Sequence, residues 1–184
     1  ADIKFDGNKE LIEIIGEEID SAFINDLTTL SLSKESIQRH HDMKIVYTPI
    51  HGTGVKLIPR ALAAFGFTNI IHVPEQDVVS GDFPTVVSPN PEEPAALAMA
   101  VAKAKETDAE LVLASDPDAD RVGAAVKNNE GEWVLLNGNQ TALMFVYYLI
   151  TRWKELGKIK GKEYIVKTIV TTETIKTIAD RNGV

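Results

Sequence analysis

Glu110-Leu111-Val112-Leu113-Ala114-Ser115-Asp116-Pro117-Asp118-Ala119-Asp120-Arg121 is the stretch on which the fold turns. Glu110 to Ala114 is a short apolar run, the length of a buried strand and too brief for a free-standing helix. It flows without a break into a proline-bearing loop with carboxylates at positions 116, 118 and 120. Working outward, Val122 to Lys127 reads as another strand, Asn128 to Gly131 as a turn, and Trp133 to Leu136 as a further strand. Upstream, Ala95 to Lys105 is an alanine-rich helix. Pro74 to Pro94 is a long irregular stretch punctuated by Gly81, Pro84, Pro89 and Pro91. Before it lie a strand at Asn69 to Val73, an amphipathic helix at Val55 to Phe65 stopped by Gly66, and an opening strand at Lys44 to Thr48.

Strand, helix, strand, helix, strand is the pattern of right-handed crossover units. The expected fold class is therefore α/β, a mostly parallel mixed sheet with helices on both faces. A strand order of 2-1-3 is expected. It would put the loop after the first strand and the aspartate loop side by side at the carboxyl edge, where open α/β sheets form their sites. After Gly138 the rhythm restarts. Gln140 to Leu156 predicts an apolar helix, Tyr164 to Thr171 a strand and Thr172 to Arg181 a helix, together an incomplete second α/β domain. At the other end, Asp2 to Leu30 predicts one long helix, on the spacing of Leu11, Ile12, Ile15, Ile19, Phe23 and Leu27. Ser31 to Asp42 predicts a short helix or linker, and its His40-His41 pair suits a solvated linker because adjacent side chains point apart.

Composition bounds the chemistry. The chain has 184 residues, 44% of them hydrophobic and 25% charged, with a net charge of −8. So acidic a surface argues against nucleic-acid or anionic-membrane partners, which need clustered cations. There are no cysteines, so disulfides, thiolate nucleophiles and thiolate zinc sites are excluded, and a reducing cytoplasm is the expected location. The longest apolar run, Ala142 to Ile150, has nine residues, against the roughly 20 that cross a bilayer. The chain opens on Ala1, with no signal peptide, and closes on Asn182-Gly183-Val184. It is expected to be a piece of a longer protein.

The aspartates carry the chemistry. Three carboxylates in one compact loop repel one another unless a cation sits between them. Spacing by two lets a curved loop turn all three toward one ion, and hard oxygen donors without His or Cys suit Mg²⁺, Mn²⁺ or Ca²⁺. An EF-hand is excluded, because positions six and twelve counted from Asp116 are Arg121 and Lys127 instead of Gly and Glu. A haloacid-dehalogenase-type phosphatase, with Asp116 as nucleophile, matches only in part, since Asp120 stands where that family has Thr or Val. A solvated acidic turn is the purely structural reading, and a non-catalytic divalent-ion or protein-interaction module is the third functional one. Arg121 can balance the carboxylates or fork onto a phosphate beside the metal. His51-Gly52-Thr53-Gly54 is neither a dinucleotide fingerprint nor a P-loop, and His51 reads first as a packing residue. Ser88, among prolines with no nearby base, reads as part of a rigid loop.

Taken in order, Tyr47-Thr48-Pro49-Ile50-His51-Gly52-Thr53-Gly54, Phe83-Pro84-Thr85-Val86, Pro89-Asn90-Pro91-Glu92, Asp116-Pro117-Asp118-Ala119-Asp120-Arg121 and Leu136-Asn137-Gly138-Asn139-Gln140 closely resemble the phosphoglucomutase/phosphomannomutase (α-D-phosphohexomutase) family. Its bacterial phosphoglucomutase and phosphopentomutase branch is most alike, and the resemblance covers about Lys44 to Val184. It implies four domains around one cleft. Residues 1–42 would be a linking helix region, 43–135 the second domain with its metal loop, and 136–184 the start of the third. Asp116, Asp118 and Asp120 would be Mg²⁺ ligands, the remaining ligand being a phosphate on a serine of the first domain. Arg121 would contact the phosphorylated centre as a catalytic and substrate-binding residue, and Thr171 would lie near the sugar. The substrate implied is a hexose or pentose phosphate, passing through a bisphosphate. The family's Thr-Ala-Ser-His-Asn-Pro loop is absent here, so the chain alone is expected to be inactive. The apolar helix of the unfinished domain is expected to favour a homodimer.

Overall fold

The computed structural model describes residues 5–184. Five strands form one sheet, β1 (Lys44–Thr48), β2 (Asn69–His72), β3 (Leu111–Ser115), β4 (Val122–Lys127) and β5 (Trp133–Leu136). Their order is β2-β1-β3-β4-β5. β1 runs parallel to β2 and β3, while β3–β4 and β4–β5 are antiparallel. The expected 2-1-3 order therefore holds, and the sheet is mixed, parallel on one side of β3 and antiparallel on the other. The order of strands reverses at the β1–β3 boundary while the two strands stay parallel, so the loops leaving their carboxyl ends are neighbours.

Alternation along the strands decides which helix covers which face. Val46, Val112, Ala114 and Ala125 share one apolar core with Ala96, Leu97, Ala100 and Ala104 of α4 (Pro94–Thr107). Small alanines on α4 let the helix lie close to the sheet. Tyr47 points the other way, toward the start of α3 (Gly54–Phe65), where its hydroxyl and Ser115 Oγ share a 2.8 Å hydrogen bond. Burial pushes the Tyr47 hydroxyl up from its ordinary 10.0 to about 12. α3 ends at Gly66, whose φ of 119° only glycine adopts freely and whose N–H caps the last turn.

The flanks differ from expectation in two places. The long helix read from Asp2 begins only at Glu17. Positions 2–4 lie outside the described residues, and Lys9–Leu11 forms a single 3-10 turn. α1 (Glu17–Thr29) starts after Gly16, with Glu17, Glu18 and Asp20 in its first turn favouring that end of the dipole. Leu11, Ile12, Ile14 and Ile15 stay exposed, so no apolar contact extends the helix backwards. α1 instead docks on α3 through Lys56–Asp20 and Arg60–Glu17 ion pairs. α2 (Lys34–Arg39) is the short helix anticipated in the linker, and His40 and His41 are both exposed.

The second difference lies in 164–171, which is not a strand: its start is irregular and its end is a turn. No other strand lies beside it among the described residues, so no ladder of backbone hydrogen bonds forms along it. The helices on either side do form. α5 (Gly138–Glu155) opens with a reciprocal cap, Asn137 Oδ1 accepting from Gln140 N at 3.0 Å and Gln140 Oε1 from Asn137 N at 2.9 Å. α6 (Thr174–Asn182) packs against α5. α5 is tied back to the linker, Tyr148 donating to Ser33 Oγ at 2.8 Å and Arg152 Nη2 to Leu32 O at 2.8 Å. Among the described residues no helix is long and apolar enough to cross a membrane.

Candidate metal centre

The aspartate loop leaves β3 at its carboxyl end, as anticipated. Asp116 sits at the foot of the loop and is buried, while Asp118 and Asp120 are exposed. One carboxylate oxygen from each lies within 4.8 Å of the others. The turn that brings them together is closed by Ala119 N donating to Asp116 O at 3.0 Å, with Ala119 in the left-handed region at φ 62°. A left-handed alanine is strained by about 1–2 kcal/mol, since its Cβ crowds the neighbouring carbonyl.

Arg121 is bonded to the same cluster. Its backbone N–H donates to Asp116 Oδ1 at 2.9 Å and its Nε–H to Asp116 Oδ2 at 2.8 Å. Nε is also 3.7 Å from Asp120 Oδ1. The side chain is otherwise largely in solvent, and no hydrogen bond ties its two terminal nitrogens to the described residues. Burial pushes the Asp116 carboxyl up, but the Arg121 amide and guanidinium outweigh it and hold the group below its ordinary range. The charges of Asp118 and Asp116 push Asp120 in the opposite direction. One guanidinium therefore satisfies Asp116 and leaves the outer carboxylates repelling, a repulsion that a bound cation would relieve. Three hard oxygens with no nitrogen or sulfur donor fit a small divalent cation such as Mg²⁺ and leave its coordination incomplete.

The glycine-bearing loop after β1 lies against this turn. Thr53 N and Thr53 Oγ1 both donate to Pro117 O, at 2.9 and 3.1 Å. A Cβ on Gly52 would stand 2.7 Å from that same oxygen and overlap the Pro117 backbone, so only glycine allows this approach. Two non-glycine residues before it are left-handed, Ile50 at φ 46° and His51 at φ 63°. For a β-branched residue such as Ile50 this is an outlier, costing on the order of 1–3 kcal/mol.

His51 is a packing residue, as its sequence context suggested. It is buried, with Nδ1 donating to Val78 O at 2.8 Å and Nε2 2.8 Å from Thr85 Oγ1. Gln76, which sequence reading missed, completes that network. Its Oε1 accepts from Thr48 Oγ1 at 2.7 Å and its Nε2 donates to Thr85 Oγ1 at 3.2 Å. A lone glutamine in an irregular stretch carries no periodicity or motif by which to find it. Ser88 is bonded to Glu93 Oε1 at 3.0 Å in the rigid loop expected of it. Thr171 lies apart, with its hydroxyl 2.8 Å from Thr168 Oγ1 and its carbonyl accepting from Lys167. No hydrogen bond joins Thr171 to the aspartate loop among the described residues.

Comparison with known proteins points the same way. The model of the phosphoglucomutase/phosphomannomutase α/β/α domain II matches residues 21–131. A human phosphopentomutase is 36% identical over 152 residues, which cover 80% of this chain and 25% of that protein. A phosphomannomutase of Mycoplasma pneumoniae is 34% identical over 183 residues, 96% of this chain and 31% of that one. A solved phosphoglucomutase/phosphomannomutase family protein from Burkholderia thailandensis superposes with a TM-score of 0.58 at 23% identity. It covers 73% of this chain and 26% of its own, a likeness of fold. The chain thus spans between a quarter and a third of the length of these curated relatives.

Proposed function

Because the chain belongs to the phosphoglucomutase/phosphomannomutase family, we propose that it is the metal-holding part of a sugar-phosphate mutase. The observation that carries this reading is the convergence of Asp116, Asp118 and Asp120 at the carboxyl edge of the sheet, with Arg121 clamped to the innermost of them. In the proposed reaction a phosphoryl group moves between two hydroxyls of a hexose or pentose phosphate through a phosphoserine held elsewhere in the longer protein. Residues 43–135 serve as the metal-bearing domain, 1–42 as the lead-in, and 136–184 as the opening of the sugar-binding domain, with Thr171 facing the sugar.

Phosphoryl transfer asks for positioning and for neutralised oxygen charge more than for covalent chemistry from the protein. Mg²⁺, when bound, would neutralise charge on the phosphoryl oxygens. Asp116, Asp118 and Asp120 would hold it. Asp116 also orients Arg121, whose Nε–H is spent on the carboxylate while its two terminal nitrogens make no hydrogen bond among the described residues. Those nitrogens form a fork that fits two oxygens of a phosphoryl group. The family match over the aspartate loop leaves the phosphatase reading without support, and Asp116, buried with an Arg121 N–H on each oxygen, is poorly placed as a nucleophile.

Titration calorimetry tests the reading. Mg²⁺ is expected to bind with weaker than micromolar affinity, the site lacking its phosphate ligand, and Asp116→Asn is expected to abolish the heat. Absence of Mg²⁺ binding, or binding unchanged by Asp116→Asn, would overturn the metal assignment. The chain alone is expected not to interconvert hexose 1- and 6-phosphates, and measurable turnover would overturn the division of labour.

A further inference from the structure

We propose that Gln76 and Thr53 are positioning residues for the metal loop, acting through the strained turn at Ile50–His51. The proposal rests on the metal reading given above and concerns how this chain holds its aspartates ready. Asp118 and Asp120 are exposed, and within their own loop only the Ala119 N–Asp116 O bond and the 3.7 Å approach of Arg121 Nε to Asp120 hold the turn. The neighbouring loop supplies a further constraint. Thr53 donates twice to Pro117 O, between Asp116 and Asp118, and Gly52 rests on the Pro117 backbone.

That loop is itself bent into an unfavourable shape, with Ile50 and His51 both left-handed. Strain of this kind persists only where the surroundings over-determine it. Here they do. Thr48, Ile50, His51 and Gln76 are all fully buried. Ile50 N donates to Thr48 Oγ1 at 3.1 Å, and Thr48 Oγ1 donates to Gln76 Oε1 at 2.7 Å. His51 N donates to Gln76 O at 2.9 Å, and its ring meets Thr85, which also accepts from Gln76 Nε2. Gln76 thus contacts both ends of the bend, by side chain and by backbone. A chain of direct contacts runs from Gln76 through His51, Gly52 and Thr53 to Pro117, and so to the aspartates.

The test is Mg²⁺ affinity by calorimetry, repeated with Mn²⁺ by electron paramagnetic resonance, on the 184-residue chain and its variants. Gln76→Leu keeps most of the volume and removes the side-chain bonds. It is expected to weaken metal binding by about tenfold at temperatures where circular dichroism shows the variant fully folded. Thr53→Val removes one of the two bonds to Pro117 from an exposed position and is expected to weaken binding about threefold, with Thr53→Ser restoring it. A residue that only stabilised the fold would lower the melting temperature and leave the affinity of the folded protein unchanged. That result for both Gln76→Leu and Thr53→Val overturns the proposal while the metal reading stands. If Gln76→Leu does not fold, Thr53→Val against Thr53→Ser decides. Absence of metal binding in the parent chain overturns both the metal reading and the proposal.

Discussion

Residues 44–136 and residues 138–184 are built from the same kinds of sequence and end in different states. In the first, every strand finds a neighbour, and Ile45, Val46, Tyr47 and Val112 are almost wholly buried. In the second, Tyr164, Val166, Ile169 and Val170 are as apolar as β1 or β3 yet stand in solvent, with Ile169 97% exposed. α5 nonetheless forms along its full length, although Met144, Phe145 and Tyr147 on it are exposed. The difference lies in where backbone hydrogen bonds go. A helix satisfies them within itself and needs only a cap, which Asn137 and Gln140 provide. A strand satisfies them on another strand, and without one its β-forming residues remain irregular.

The largest test of that contrast compares two apolar truncations. Leu97→Ala, in the core beneath the sheet, is expected to cost about 2–5 kcal/mol by chemical denaturation. Ile169→Ala, at an exposed position, is expected to change stability by less than about 0.5 kcal/mol. A large loss from Ile169→Ala would mean that 164–171 is packed after all. Next comes the contact between the two loops at the sheet edge. Gly52→Ala drives a Cβ into the Pro117 backbone and is expected to cost about 1–3 kcal/mol. It should also weaken Mg²⁺ binding, whereas Gly161→Ala, open on all sides, should leave the metal untouched.

The buried side of the contrast also has a pH signature. The Tyr47 hydroxyl ionises near 12 in the fold and near 10.0 in the unfolded chain. Its raised value means that the unfolded state loses this proton first. The contribution to stability is therefore complete below pH 10 and is lost as pH rises toward 12. Phenolate absorbance should show one tyrosine titrating late, and Tyr47→Phe should remove it. A smaller gain is expected at Ala119. Ala119→Gly relieves a left-handed Cβ at the cost of extra chain entropy, for a net gain of about 0.5–1 kcal/mol in thermal denaturation. A net loss would mean that the turn is not strained.

Much of the sheet and its edge was legible because local signals and tertiary outcome agree there. β1, β4 and β5 have the limits that alternation and turn residues predict, and α3 stops at Gly66 because a left-handed cap wants glycine. The aspartate loop was legible for a stronger reason. Spacing by two on a loop leaving a buried strand is itself a geometric instruction, and the three oxygens do converge. The approach of the His51 loop followed from the strand order alone. Two stretches depart from their local signals because apolar residues alone do not say what will cover them. Leu11 to Ile15 predicts helix and Tyr164 to Thr171 predicts strand, and neither finds a partner to bury against among the described residues. Gln76 was invisible because one polar residue in an irregular segment has no period.

The order of residues along the chain therefore determined the rhythm of strands and helices, the carboxylates that can share an ion, and the glycines where backbone must approach backbone. These follow from side-chain spacing and dihedral preference, which are local. Only the tertiary structure decided that Gln76 would sit beneath the bend at His51, and that one apolar stretch would become a strand while another would not. Those outcomes depend on which distant group arrives to complete a hydrogen bond or cover a surface, and no local preference encodes that arrival.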